Sequence, residues 1–204
     1  MIVDKNNILK SIDLNTGIDI ELGCGPNKKN LYAIGIDMLD YDCVDIVGDV
    51  FEVLAKIPSS SVNALYSYHF LEHIADIDRL VKEIHRVLSD NGKLYAVVPH
   101  FSNPFYYSDL THKVSFGLYS FAYYSTNKFK RKVPSYQNGI LFNQESIRLV
   151  FKSYPPRYIR HGFKKFFEYV FNINMYMKEF YEENLTYIFP CYEVSYILSK
   201  KHSL

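Results

Sequence analysis

The chain has 204 residues, enough for one domain with a sizeable core, and its hydrophobic fraction of 48%, charged fraction of 22% and net charge of +1 are those of an ordinary globular protein. Its three cysteines (Cys24, Cys43, Cys191) form no CxxC pair, which excludes a zinc knuckle and a disulfide framework and fits a reducing compartment. Asp4 and Lys5 stand where a secretory signal would be apolar, and no run of about 18 apolar residues exists to span a membrane, so a cytoplasmic location is expected.

Ile18–Leu22 alternates apolar and acidic residues and meets Gly23, a strand ending in a glycine turn, with a short helical stretch expected after Gly25. Residues 32–37 and 44–47 read as two more strands, ending at Asp37 and just before Asp49. A short helix is expected over 51–57, a strand over 62–68, and an amphipathic helix over 74–88 with Ile77, Leu80, Val81, Ile84 and Val87 on one face. A fifth strand over 93–98 stops at Pro99. Strands alternating with helices at this spacing predict a single Rossmann-like α/β domain over 1–204, with a mainly parallel sheet, helices on both faces and an antiparallel C-terminal edge strand over 192–199. Residues 101–135 form an expected substrate loop, 143–153 an expected helix, and 155–190 a helical insertion whose stripe from Phe163 to Phe189 suits packing or a homodimer face.

The chemistry concentrates at the strand ends. Gly23 and Gly25 let the backbone approach a ligand, and Glu21, Asp37 and Asp49 are acids at successive strand ends near the expected switch point of the sheet. A dinucleotide fingerprint would place glycine at position 28, where this chain has Lys28. The pattern therefore describes a nucleoside site without a pyrophosphate, in which Asp37 can accept hydrogen bonds from ribose hydroxyls and carboxylates complement a cationic ligand.

Ile18-Asp-Ile-Glu-Leu-Gly-Cys-Gly-Pro26, Gly35-Ile-Asp37, Val47-Gly-Asp49, Tyr68-His-Phe-Leu-Glu-His73 and Leu88-Ser-Asp-Asn-Gly-Lys-Leu94 together resemble the ordered motifs of class I methyltransferases, type 11 branch. That resemblance implies S-adenosylmethionine as cofactor. It implies that Glu21, Gly23, Cys24 and Gly25 line its methionine end, that Asp37 holds the ribose, and that Met38, Asp49 and Val50 flank the adenine. Ser67, Tyr68 and His69 would sit beside the sulfonium. It also implies a tie to surface-polysaccharide assembly known among some relatives.

His69-Phe-Leu-Glu72-His73 also matches the inverted zincin pattern H-x-x-E-H, so a zinc metallohydrolase is the competing enzyme class. His69 falls where the strand ends rather than on a helix, and Glu83 or His85 would supply a third ligand only by accident, so no metal is expected. A non-catalytic binding protein of the same fold would be marked by loss of the cofactor acids, and all three are present.

The acceptor should meet the loop after the fifth strand. Asp109-Leu-Thr-His112 offers His112 as general base oriented by Asp109, with His100 in reserve; a structural His–Asp pair is the alternative. Nine aromatic residues lie between 101 and 124, and ten Lys/Arg against one acid between Thr126 and Lys165. Together they suggest a small-molecule or glycan acceptor, methylated on a hydroxyl and carrying an anionic group. Nucleic acid is disfavoured by the near-neutral net charge and by the lack of an Asn/Asp-Pro-Pro-Tyr/Phe tetrapeptide.

Overall fold

The computed structural model describes residues 2–13, 16–134 and 139–201; Ser135, the end of the expected substrate loop, lies outside them. Among the described residues nine strands form one sheet: β1 (Val3–Asp4), β2 (Ile18–Leu22), β3 (Ile34–Asp37), β4 (Ile46–Val47), β5 (Val62–Tyr68), β6 (Leu88–Pro99), β7 (Ser125–Thr126), β8 (Phe142–Val150) and β9 (Glu193–Lys200). Their order is β1-β4-β3-β2-β5-β6-β9-β8-β7. Strands β4, β3, β2, β5 and β6 are mutually parallel, and the order reverses between β2 and β5, the switch point of the sheet.

Register explains the core. Pairing of Ile20 with Leu65 and of Leu65 with Leu94 puts Ile20, Leu22, Leu65, Leu94, Ala96 and Val98 on one face, each at most 1% exposed. Helices α1 (Val50–Leu54) and α2 (Ile77–Val87) join that core through Val53, Leu54, Leu80, Val81, Ile84 and Val87. The opposite face is covered less: Tyr66 and Tyr95 stack at 5.1 Å and remain partly exposed. The helical stretch expected after Gly25 does not form there. Instead Glu21 reaches from β2 to accept hydrogen bonds from the Lys29 and Asn30 amides, at 3.0 and 2.8 Å, and ties down residues 28–30 as irregular chain.

The C-terminal half differs from expectation in one element. Residues 143–153 do not form a helix; β8 occupies Phe142–Val150 and runs antiparallel to β9. The reason is the period of the sequence. Ile147, Leu149 and Phe151 alternate, and all three are buried on the core side at 4%, 0% and 1% exposure. A register shift between Gln144 and Ser146 hides the alternation further upstream. Strand β9 is antiparallel to β6, as expected, and β8 and β7 extend the sheet beyond it.

The stripe from 163 to 189 resolves into α3 (Tyr158–Asn172) and α4 (Met175–Asn184), because Asn174 leaves the helix and caps α4 by accepting from the Met177 amide. Strand β7 pairs only with the first two residues of β8, so the rest of the outer edge of β8 needs partners. Helix α3 supplies them. The Asn172 amide both accepts from Leu149 N and donates to Leu149 O, and Glu168 accepts from Phe151 N at 2.9 Å. Glu168 also pairs with Arg148 and Lys165. No helix among the described residues is long and apolar enough to cross a membrane.

Burial would raise the Glu168 carboxyl, but hydrogen bonds from Lys165, Phe151 N and Arg148 outweigh it and hold the group below its ordinary value of 4.5. A depressed folded-state pKa contributes stability above the unfolded value and loses it as pH falls through the folded one. Glu168→Gln should therefore cost about 1–2 kcal/mol at neutral pH, and the gap from the wild type in urea melts should close below about pH 4.5. A gap independent of pH would show that the carboxylate charge is not what docks α3.

Candidate active site

All the groups singled out at strand ends collect along one edge of the sheet. The carboxyl ends of β2, β5, β6 and β8 and the amino end of β9 meet there, because β9 is antiparallel to β6. At the switch point Gly23 and Gly25 adopt φ of +63° and +56°, conformations that other residues take only with strain. A Cβ on Gly23 would lie 2.3 Å from the Phe70 ring, whereas one on Gly25 would meet open space. A cleft of about 50 Å³ runs between Gly23, Asp37, Met38, Asp49, Val50, Phe70 and Ile74. It is smaller than a nucleoside, and Met38 on its rim is two-thirds exposed.

The sequence-selected residues divide into those that face this cleft and those that support it. Asp37 accepts from Gly25 N and Leu39 N, one bond on each oxygen, so each oxygen retains a lone pair. Asp49 caps α1 through Oδ1 alone, accepting from Phe51 N and Glu52 N. Val50 follows it, 7% exposed. Ser67, fully buried at the end of β5, has a hydroxyl with no hydrogen-bond partner among the described residues. Open backbone at Gly25, spare acceptors on Asp37 and Asp49 and an orphan hydroxyl at Ser67 fit a polar nucleoside ligand.

Glu21, Cys24 and Tyr68 are support. Glu21 is 2% exposed and holds the 28–30 turn. Burial, then the charge of Asp37, pushes the Cys24 thiol up to about 12, and its sulfur packs over Gly35. Tyr68 lies under the Lys29 ammonium at 4.3 Å.

His69 turns the chain at the end of β5 with φ +54°, a left-handed conformation. Its Nε2 meets Glu193 Oε1 at 2.8 Å, and Glu193 in turn binds Lys152. Burial pulls the imidazole down, but the Glu193 and Glu72 carboxylates outweigh it and raise the group to about 9, so it is a cation at neutral pH. Sequence reasoning missed Glu193 and Lys152. Their cue was only the placement of Glu193 at a strand start, beside Tyr192.

Residues 100–113 leave the carboxyl end of β6 along the same edge. His100 is fully buried; its Nδ1 accepts from Ser102 N and its Nε2 donates to Glu182 at 2.8 Å, so both ring nitrogens are engaged, Nε2 in holding α4. His112 differs. Its Nδ1 lies 2.8 Å from the Tyr106 carbonyl, which fixes a proton there, so that in the neutral imidazole Nε2 carries the lone pair. Asp109 stands 3.6 Å from that Nε2, on the side that would take a proton, rather than behind Nδ1 as an orienting carboxylate. The Thr111 hydroxyl and amide hold the Asp109 carboxyl below its ordinary range. The orienting group is the Tyr106 carbonyl, which no sequence spacing announces. The zincin trio is not assembled on a helix: His69 is the strand-end turn, and Glu72 and His73 lie in a single 3₁₀ turn. Of the candidate third ligands, Glu83 pairs with Arg86, and His85 packs edge-on against Phe142.

Residues 20–96 match the model of a family described as a methyltransferase domain, type 11. No curated protein sequence matches the chain. Among solved structures the chain is similar to a SAM-dependent methyltransferase from Archaeoglobus fulgidus, at 14% identity and a TM-score of 0.56 over 89% of this chain and 85% of that one. It is also similar to the YcgJ protein from Bacillus subtilis, at 15% identity and a TM-score of 0.50 over 97% of both chains. A third likeness, at 15% identity and a TM-score of 0.50, is to a Haemonchus contortus phosphoethanolamine N-methyltransferase holding phosphomonomethylethanolamine and S-adenosylhomocysteine. It covers 98% of this chain and 54% of that one. Residues 20–96 thus carry the methyltransferase-domain match, and the fold is that of the S-adenosylmethionine-dependent methyltransferases the chain resembles.

Gly23→Ala should combine about 1–2 kcal/mol of left-handed strain with displacement of Phe70. Calorimetry should show S-adenosylmethionine binding weakened at least about tenfold and thermal unfolding earlier. Gly25→Ala carries the strain without the clash, and its methyl enters the open space kept for the ligand, so it should weaken binding with a smaller loss of stability than Gly23→Ala. Equal behaviour of the two variants would mean that Phe70 does not shape the cleft.

Proposed function

We propose that this enzyme methylates a hydroxyl of an anionic small-molecule or sugar acceptor, as in polysaccharide or secondary metabolism. The observation that carries the reading is a cavity of about 240 Å³ at the carboxyl edge of the sheet. Lys152, Arg157, Arg160 and Lys164 converge on it beside Phe105, Tyr154 and Tyr192. Burial, then the neighbouring Arg160 charge, lowers the Lys164 ammonium, the behaviour of crowded cations that an anion would relieve. Aromatic rings beside the cations give a sugar or another flat group a surface to stack on: Tyr154 and Tyr192 are joined through their hydroxyls at 3.2 Å, and Lys152 lies 4.5 Å over the Tyr192 ring.

The chain's own residues divide the work. Asp37 accepts from the ribose hydroxyls, Met38, Asp49 and Val50 border the adenine, and the glycine turn, with Glu21 and Cys24 fixing its shape, leaves room for the methionine end. Ser67, Tyr68 and His69 close the floor between cofactor and acceptor. S-adenosylmethionine supplies an electrophilic methyl group on a sulfonium, and displacement there is governed by alignment. The Glu193 bridge between His69 and Lys152 ties the cofactor side to the anion cavity and holds the two in register. His112 accepts the hydroxyl proton on Nε2, the nitrogen that the Tyr106 carbonyl leaves unprotonated. Asp109 stabilises the imidazolium that results, from 3.6 Å.

His112→Ala should lower kcat by about 10²-fold or more while S-adenosylmethionine affinity stays within about twofold, and Asp37→Ala should show the reverse emphasis. Arg160→Ala with Lys164→Ala should raise KM for an anionic nucleotide-sugar or phosphosugar acceptor more than it lowers kcat. Turnover by the wild type only on uncharged acceptors, on protein or on RNA would overturn the anionic-acceptor reading.

A further inference from the structure

Glu72 is fully buried, and neither oxygen of its carboxylate finds a hydrogen-bond donor among the described residues. Its charged neighbour is His69, whose Nδ1 stands 3.4 Å from Oε1 in an ion-pair contact without the alignment of a hydrogen bond. A buried carboxylate ordinarily carries several charge-assisted hydrogen bonds, because taking it out of water is costly. His73 and His112 stand beside it, their rings 4.9 Å apart, and one donor atom from each of Glu72, His73 and His112 lies within 4.8 Å of the other two.

The hydrogen bonds behind the two rings set both in the same state. Thr111 Oγ1 donates its single proton to Asp109 at 2.6 Å and lies 2.9 Å from His73 Nδ1, so the histidine nitrogen must be the donor of that pair. The Tyr106 carbonyl likewise takes a proton from His112 Nδ1. In the neutral form of each imidazole, Nε2 is therefore the nitrogen that carries the lone pair. Imidazoles with one nitrogen tied to a fixed acceptor and the other bare, next to an unsatisfied carboxylate, are the arrangement that supports metal ligation.

We propose that Glu72, His73 and His112 bind one divalent transition-metal ion through two imidazoles and a carboxylate, with the remaining coordination positions open. Two nitrogen donors disfavour magnesium and calcium, while two histidines and a glutamate suit zinc and its neighbours. The ligand set differs from the H-x-x-E-H spacing in the sequence: Glu193 occupies His69 Nε2, and His112 enters from a loop 40 residues away. The site adjoins the cofactor cleft, whose wall includes Phe70 and Ile74 on either side of Glu72 and His73. In the use of that ion the proposal rests on the hydroxyl-methylation reading. An oxygen bound to the ion loses its proton more readily, to Asp109 or to solvent, so the ion-loaded enzyme takes by this route the proton that His112 Nε2 accepts in the ion-free one.

The test is metal binding by the untagged protein after dialysis against a chelator. Calorimetry with Zn²⁺ and elemental analysis should give one ion per chain at micromolar affinity or tighter, and Co²⁺ should give visible absorption of a nitrogen-and-oxygen-ligated ion. His73→Ala and His112→Ala should each weaken Zn²⁺ binding at least tenfold. Thr111→Val, which removes the acceptor behind His73 without touching a ligand, should weaken it about tenfold. Glu72→Gln tests the carboxylate if it folds; the histidine variants decide the matter if it does not. Absence of stoichiometric binding, or binding that survives in both histidine variants, overturns the site. So does binding lost in His69→Ala but kept in His112→Ala. S-adenosylmethionine titration of the same samples keeps the two readings apart: cofactor binding without zinc binding defeats the ion alone.

Discussion

Burial of glutamate carboxylates is the constraint on which the rest of this structure depends. Glu21, Glu72, Glu168, Glu179 and Glu193 are all less than 9% exposed, and the Glu182 side chain is 10% exposed. A charge taken out of water must be repaid by hydrogen bonds or partner charges, so each of these residues acts as a clamp on whatever it binds. Glu21 fixes the turn that stands in for a first helix. Glu168 docks α3 on the open edge of β8, Glu179 gathers the Lys130 and Arg131 amides, and Glu182 joins His100 to the Leu118 amide. Glu193 joins β5 to the segment after β8 through His69 and Lys152.

Five of these six clamps fasten long loops and the two C-terminal helices to the carboxyl edge of the sheet, where the fold places its ligands. That is how a chain with one sheet face only partly covered by helices holds its edge together. It is also why loop residues 100–113 present a defined surface: His100 anchors them below through Glu182, and the backbone amides of Lys113 and Val114 bond to the Glu72 carbonyl. Glu72 alone among the six binds through its main chain and leaves its carboxylate without a hydrogen bond among the described residues.

How much of this was legible follows from the range of each interaction. Strand β5 and helix α2 could be read closely from the sequence because apolar period and turn residues act locally. The glycine turn and the acids Asp37 and Asp49 were legible because their spacing along the chain is their spacing along the sheet edge. Strand β8 was misread because Ile147, Leu149, Val150 and Phe151 satisfy a helical stripe and a strand alternation equally well, and sheet pairing with β9 decided between them. Glutamate is usually a surface residue, so nothing in the composition marks Glu168 or Glu193 as buried. The convergence of Lys152, Arg157, Arg160 and Lys164 was visible only as an excess of charge, since the cavity they line needs Phe105 and Tyr192 from other parts of the chain.

The histidine motif shows why spacing alone assigns chemistry poorly. Read along the chain, His69, Glu72 and His73 belong together. The left-handed turn at His69 breaks that grouping by ending β5 early and sending the His69 ring to Glu193. The backbone amides of residues 113 and 114 bind the Glu72 carbonyl, and that tether brings His112 over His73 from a loop 40 residues distant. One backbone conformation and one pair of amide hydrogen bonds thus exchange one histidine for another beside the same carboxylate. The exchange moves the potential ligand set from a strand end already committed to Glu193 to the loop that follows β6. That is where a cation able to acidify a hydroxyl would be of use.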